Sequence, residues 1–400
     1  MDVHDSRYSW GRLAITLAIA CIGNVGMWAV IVVMPAIEAE FGTTRAAASL
    51  PYTLCMVGFA LGNLVMGRVL DRFGITRALM AASVIISLGF ALSAVSGSVA
   101  LLSAFHLLLG FGSATFFGPL IADISHWFMA RRGIAVAVAA SGNYLAGAIW
   151  PILLAGILAE TGWRAAYFVI AATVVTLVVP ASLLLRRRVP HEASMRAETA
   201  ASLNARRTDL SPRTLQWLLA LAGVACCVAM SMPQVHIVSF CVDLGYGPAV
   251  GSQMLSLMLL GGVGSRLISG FLADRFGGVK TLLLGSTLQM LALCLYLPTS
   301  GLTSLYLVSL IFGLSQGGIV PAYAIIVREY LPAREAGARV GLVMMATIFG
   351  MALGGWMSGL IYDLTGSYQA AFLNGIGWNL LNMGIIAGIL LRSRPRTVAA

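Results

Sequence analysis

Gly67-Arg68-Val69-Leu70-Asp71-Arg72-Phe73-Gly74-Ile75-Thr76-Arg77 returns 203 residues later as Gly270-Phe271-Leu272-Ala273-Asp274-Arg275-Phe276-Gly277-Gly278-Val279-Lys280. The leading Gly, the Asp-Arg-Phe-Gly core and the closing basic residue hold the same places in both copies. At the same shift Gly110 meets Gly313 and Arg131 meets Arg334. Trp163-Arg164-Ala165-Ala166-Tyr167-Phe168 is echoed, after a small slip, by Tyr368-Gln369-Ala370-Ala371-Phe372. The chain is a duplication, so whatever architecture one half adopts, the other must adopt too.

Each copy of the motif sits between apolar runs. Of the 400 residues, 59% are hydrophobic and 10% charged, too little polar surface to coat a soluble protein, which carries about 25% charged residues. Runs between charged or Gly/Pro punctuation fall near 12–37, 46–67, 77–97, 99–122, 133–159 and 164–185, then near 214–241, 249–273, 280–298, 301–327, 338–362 and 369–391. A membrane helix needs roughly 20 apolar residues, so this is an all-α membrane protein of twelve transmembrane helices. Residues 1–185 and 214–400 are expected as six-helix, pseudo-symmetric halves, with 186–213, rich in Arg, Glu, Ser and Ala, as a cytoplasmic linker. Six spans return the chain to its starting side, so both halves point the same way about an axis along the membrane normal. The first run looks like a signal peptide near Ala18-Ile19-Ala20 but continues to Ile37, the length of a span.

The charge tests this topology. The chain carries a formal +10, and 22 of its 25 Lys and Arg fall on the side of the N-terminus. Arg45 and Arg164 fall opposite, and Arg266 falls within a helix. That bias is the positive-inside rule and puts both termini in the cytoplasm, with a bacterial inner membrane as the expected location. The charge then calls for no nucleic acid, and the lipid bilayer is its natural partner. The six cysteines lie in apolar stretches without paired spacing, so neither a disulfide framework nor a zinc site is expected. No metal cluster, catalytic triad or phosphate loop is present; Gly261-Gly262-Val263-Gly264 lies within an apolar helix with no strand before it. No metal, cofactor or enzymatic activity is expected.

The repeated Gly-x-x-x-Asp-Arg-x-Gly-x-x-basic loop between spans 2 and 3, and again between spans 8 and 9, resembles the signature loop of the major facilitator superfamily. The resemblance implies twelve spans around a central path lined by spans 1, 4, 7, 10 and 2, 5, 8, 11. It also implies gating roles on the cytoplasmic face for Asp71, Arg72, Arg131, Asp274, Arg275 and Arg334. Trp127-Phe128-Met129-Ala130-Arg131-Arg132-Gly133-Ile134-Ala135, leading into span 5, is similar to the corresponding stretch of monocarboxylate transporters and oxalate–formate antiporter-like proteins. In the former, an arginine of span 8 binds substrate, and an aspartate four residues earlier takes part in proton coupling. Arg266 matches the first, whereas Gly262 stands in place of the second. Span 11 carries no Lys or Arg from Gly341 to Asp363, unlike the oxalate carriers, so a single cation favours a singly charged substrate.

Arg266 also stands out without any resemblance. It lies eight residues before Asp274, about 12 Å along the helix at 1.5 Å per residue, near mid-membrane, where a charge is costly unless paired or facing water. Asp123, Glu160, Asp243, Glu329 and Asp363 all fall at helix ends. An arginine lining a cavity wants an anion, and its planar fork suits a carboxylate; the alternative is a structural arginine paired with carbonyls. Further binding candidates are Asn24 and Trp28, four apart on span 1; Asn143 and Tyr144 in span 5; Gln316 and Tyr323, seven apart on span 10; and Phe117. The oxalate-carrier resemblance favours Tyr144 and Tyr323. His236, after Pro233, and His106 are the candidates for proton coupling. The expected function is secondary transport of a small organic anion, a monocarboxylate, by a monomer, with H⁺ as co-substrate or by exchange. Export of drugs or other amphipathic compounds is the alternative.

Overall fold

A computed structural model of the protein describes residues 4–129, 131–187, 207–331 and 336–394. Arg334, the side chain of Asp71 and most of the expected linker lie outside the described residues. Among those described, eleven helical runs are long and apolar enough to cross a membrane. The run Gly133–Leu183, 51 residues, is two spans: Gly162 takes φ 80° and ψ 171°, a region open to glycine, and divides expected span 5 from span 6. The all-helical twelve-span fold expected from the repeat is therefore the one observed. Its outer surface carries large exposed apolar side chains such as Leu88, Ile152, Phe271, Leu307 and Leu380. That is costly in water and costs nothing against lipid tails.

Three spans are interrupted. Span 1 consists of Arg7–Gly23 and Val25–Phe41. Span 4 runs Val99–Ser113, tightens into a 3₁₀ turn over Ala114–Phe116, and resumes as Gly118–Ser125. Span 10 is split into Leu302–Gln316 and Ile319–Tyr330. Span 7, Pro212–Asp243, runs through Pro233 without a break. Backbone released from a helix at membrane depth must find partners inside the protein. At the first two breaks one residue serves both: the Asn24 side-chain amide donates to the Ala20 carbonyl at 2.8 Å and to the Phe116 carbonyl at 3.0 Å.

The repeat is written into the packing. Gly58 and Gly110 bring spans 2 and 4 into backbone contact, because a Cβ on Gly58 would strike the Leu107 carbonyl and one on Gly110 the Cys55 carbonyl. Gly261 and Gly313 do the same for spans 8 and 10, against Leu310 and Met258. Every one of these eight residues has its counterpart 203 positions away. Small residues permit close helix approach where no hydrophobic effect drives association. At the face bearing the termini, Arg207–Thr208 pairs antiparallel with Ser393–Arg394.

The equivalence gives a test. Gly110→Val and Gly313→Val each overpack a backbone contact, at about 1–3 kcal/mol, and each lowers the apparent melting temperature in detergent by about 5 °C. Gly388→Val, where nothing lies within 4 Å, leaves it unchanged. Equal melting temperatures for all three variants would refute the assignment.

Candidate functional site

A cavity of about 280 Å³ lies between the halves. Spans 1, 2, 4 and 5 contribute Met27, Trp28, Phe59, Asn63, Phe117, Asn143 and Tyr144; spans 7, 8, 10 and 11 contribute Met230, Arg266, Val320 and Thr347 among others. All eight spans expected to border a central path border this one.

Arg266 is 5% exposed and lines the cavity. Its Nε donates to the Gly317 carbonyl at 3.1 Å and its Nη1 to the Ala140 carbonyl. The first acceptor is free because span 10 is interrupted at Gly317–Gly318 and the residue four further on, Pro321, has no N–H to offer it; the second belongs to span 5 in the other half. The guanidinium carbon lies 4.1 Å from the centre of the Tyr144 ring, a cation–π contact. Gly262 makes room for that ring, since a Cβ there would sit 3.1 Å from it. The expected carbonyl partners are thus real, yet they use two of five guanidinium N–H groups. Among the described residues no carboxylate pairs with Arg266.

Beside it, the Trp28 indole N–H donates to the Asn143 backbone carbonyl at 2.9 Å and to its side-chain oxygen at 3.1 Å. That contact fixes which end of the amide is oxygen and leaves the Asn143 NH₂ as a donor at the cavity wall. Arg266, Trp28, Asn143, Tyr144 and Phe117 are therefore brought together as expected.

Asn24, Gln316 and Tyr323 do not line the cavity. Each expected pair assumed an unbroken helix, and each straddles or begins at a break. Asn24 is consumed at the interruption of span 1, while Gln316 ends the first segment of span 10 and is hydrogen-bonded to Gln234. Tyr323, in the second segment, donates to Asn382 at 2.7 Å. His106 is buried between the Leu102 carbonyl at 2.8 Å and the Tyr167 hydroxyl at 3.1 Å, inside the first half and away from the cavity. His236 is also off the cavity, between the Gly355 carbonyl at 2.8 Å and the Tyr368 hydroxyl at 3.1 Å.

His236 leads instead to a cluster that sequence reasoning missed, at the face opposite the termini. Arg45, at the start of span 2, reaches into the other half. It grips Asp243 with two N–H groups at 2.8 and 3.1 Å, donates to the Tyr368 hydroxyl at 2.7 Å, and pairs with Glu38 at 2.8 Å. Its guanidinium carbon lies 4.4 Å from the centre of the Tyr362 ring. The Asp363 carboxylate, at the end of span 11, accepts from the backbone N–H groups of Arg45 and Ala46 at 2.9 and 2.8 Å. It thereby caps span 2 at the end where the helix dipole favours a negative charge. Gly359 permits the approach, since a Cβ there would lie 3.0 Å from Ala46. Below it Tyr52, 1% exposed, fills the gap against Gly355. The one available signal was that Arg45 lay on the side nearly empty of basic residues while Glu38, Asp243 and Asp363 lay there with it.

Among the described residues, the expected gating residues Arg72, Arg131, Asp274 and Arg275 at the terminus face are not brought together in this way. Arg72 and Arg275 lie over their neighbours Phe73 and Phe276, Arg131 lies over Trp10, and Asp274 is exposed. Among the described residues none of these forms an ion pair with the opposite half.

The sequence profile of the Major Facilitator Superfamily matches residues 16–302 and 219–400. The chain belongs to the major facilitator superfamily. Among curated relatives it is 26% identical to monocarboxylate transporter 13 of Bos taurus, over 83% of this chain and 78% of that one. It is 29% identical to monocarboxylate transporter 11 of Homo sapiens, over 76% and 66% respectively. A solved bacterial homologue of the human lysosomal transporter Spinster superposes with a TM-score of 0.73 at 14% identity, covering 98% of this chain and all of that one. By its family the protein is a multi-pass membrane transporter of a small molecule rather than an enzyme.

The Arg45 cluster ties the two halves together at one face, and it is called the seal below. Asp243→Asn with Asp363→Asn removes the two carboxylates of the second half that reach Arg45 and the start of span 2, leaving Glu38 of the first half. Spin labels at Thr43 and Leu364, flanking the seal, are then expected to gain a longer-distance population that the unmodified seal lacks. An unchanged distance distribution would show that the seal does not depend on these carboxylates.

Proposed function

We propose that the protein moves a small organic monocarboxylate across the cell inner membrane by alternating access, with Arg266 binding the carboxylate. The observation that carries this reading is a charged guanidinium on a cavity wall, held by two carbonyls and Tyr144 and paired with no carboxylate among the described residues. Carbonyl dipoles orient it and offset part of its burial, but they do not neutralise it. An anion does, and a carboxylate fits the planar fork. Asn143 offers a second donor, and Tyr144 holds the guanidinium from its other face.

The same contacts suggest how binding is coupled to motion. Arg266 belongs to the second half, whereas Ala140 and Tyr144 belong to the first, so a carboxylate competing for Nη1 loosens a tie between halves. With the termini in the cytoplasm, as the distribution of basic residues supports, the Arg45 seal closes the outer face and the cavity belongs to an inward-facing state. The gating roles of Asp71, Arg72, Arg131, Asp274, Arg275 and Arg334 then apply to the opposite, outward-facing state, where the cytoplasmic face closes. The chain would divide for this motion into residues 1–185 and 214–400.

Proton coupling falls to His236 by connectivity. Its Nε2 must carry hydrogen to donate to the Gly355 carbonyl, so neutral Nδ1 accepts from Tyr368, whose oxygen accepts from Arg45. A proton added at Nδ1 removes that acceptor and forces the Tyr368 hydroxyl to turn. Protonation of His236 is thereby read by the seal, where Glu38, Asp243, Asp363 and Arg45 surround Tyr368.

In proteoliposomes, Arg266→Ala is expected to abolish uptake of labelled monocarboxylate, and Arg266→Lys, which keeps charge without the fork, to lower it at least about tenfold. Normal uptake by folded Arg266→Ala would eliminate the carboxylate-binding role. An inside-alkaline gradient is expected to accelerate uptake by the native protein. In His236→Gln, whose amide preserves one donor and one acceptor, the gradient should have no effect while anion exchange continues. Equal acceleration in the variant would move the coupling site elsewhere.

A further inference from the structure

The cavity wall carries a second message besides its cation. Six of the chain's 18 methionines lie among the lining residues: Met27, Met56, Met230, Met344, Met345 and Met351. They come from spans 1, 2, 7 and 11, so both halves present thioethers to the same space. Polar wall groups are few and partly engaged: the Thr347 hydroxyl donates to the Met344 carbonyl at 2.7 Å, and the Asn63 amide to the Phe59 carbonyl at 2.8 Å.

Size and chemistry together narrow the occupant. A volume of about 280 Å³ is many times the ~10–15 Å³ that holds one water on the same measure, which leaves room for a body well beyond the carboxylate. A three-carbon hydroxy or keto acid would leave most of that space to water and find few partners for its extra oxygen. Thioether sulfur is polarizable and makes favourable contacts with aromatic rings, and methionine adapts its shape to them. A flexible chain of equal size offers no ring and must freeze several rotors on binding.

We propose that the transported anion is an aryl-substituted monocarboxylate of arylacetate to arylpropionate size. Its carboxylate lies on Arg266 and the Asn143 amide, and its ring lies among the methionines of both halves. This rests on the monocarboxylate reading above and adds the body of the molecule to its charged head. Because the ring would touch Met27 and Met56 from one half and Met230 and Met351 from the other, the cargo itself spans the seam across which the halves rock.

The test is calorimetric binding to the purified full chain of phenylacetate, lactate, pyruvate, octanoate and the neutral phenylacetamide. Phenylacetate is expected to bind at least tenfold more tightly than lactate or pyruvate, and more tightly than octanoate. The volume-conserving triple variant Met56→Leu, Met230→Leu, Met351→Leu is expected to reduce the phenylacetate-to-lactate affinity ratio about tenfold, as the loss of three sulfur–aromatic contacts implies. Lactate or pyruvate binding as tightly as phenylacetate would overturn the aryl assignment and leave the monocarboxylate reading intact. Octanoate matching phenylacetate, or an unchanged ratio in the triple variant, would overturn the role of the ring. Phenylacetamide matching phenylacetate would remove the anion reading itself.

Discussion

A guanidinium buried at mid-membrane is the constraint around which the site is organised. Arg266 has no carboxylate within reach among the described residues, so its surroundings must supply oxygen by other means. Span 10 does so by ceasing to be a helix at Gly317–Gly318, which frees a carbonyl, and span 5 does so from the opposite half. Both acceptors are neutral dipoles: they hold the side chain in place and leave its charge for something else to balance. Under the proposed function this leaves Arg266 available to a carboxylate, because a guanidinium fully paired with protein acid would have no reason to release that partner for a substrate.

The two halves share their construction and differ in their closures. Glycines 203 residues apart produce the same close helix contacts in each, so the halves form similar rigid pieces. What joins them is asymmetric. One face is held by Arg45, Asp243, Asp363 and Tyr368, whereas at the other face Arg72 and Arg275 lie over neighbouring rings, Arg131 lies over Trp10 and Asp274 is exposed.

Much of this was legible in the sequence because its signals are periodic or repeated. Apolar runs marked the spans, the Asp-Arg-Phe-Gly loop marked the duplication, and the absence of an acid near Arg266 marked the site. Trp28, Asn143 and Tyr144 followed from their place on lining helices. Asn24, Gln316 and Tyr323 lie off the cavity for a shared reason. A face is inferred by rotating a regular helix, and at Asn24 and at Gly317–Gly318 the helix stops being regular. The seal at Arg45 was obscured because a charge at a helix end satisfies topology statistics whether or not it reaches across to another half.

The cap that Asp363 places on span 2 has a consequence for the solvent. Opening that face frees the N–H groups of Arg45 and Ala46, the Arg45 guanidinium and two carboxylates, all of which must then be hydrated. Water therefore behaves as a ligand of the opened state.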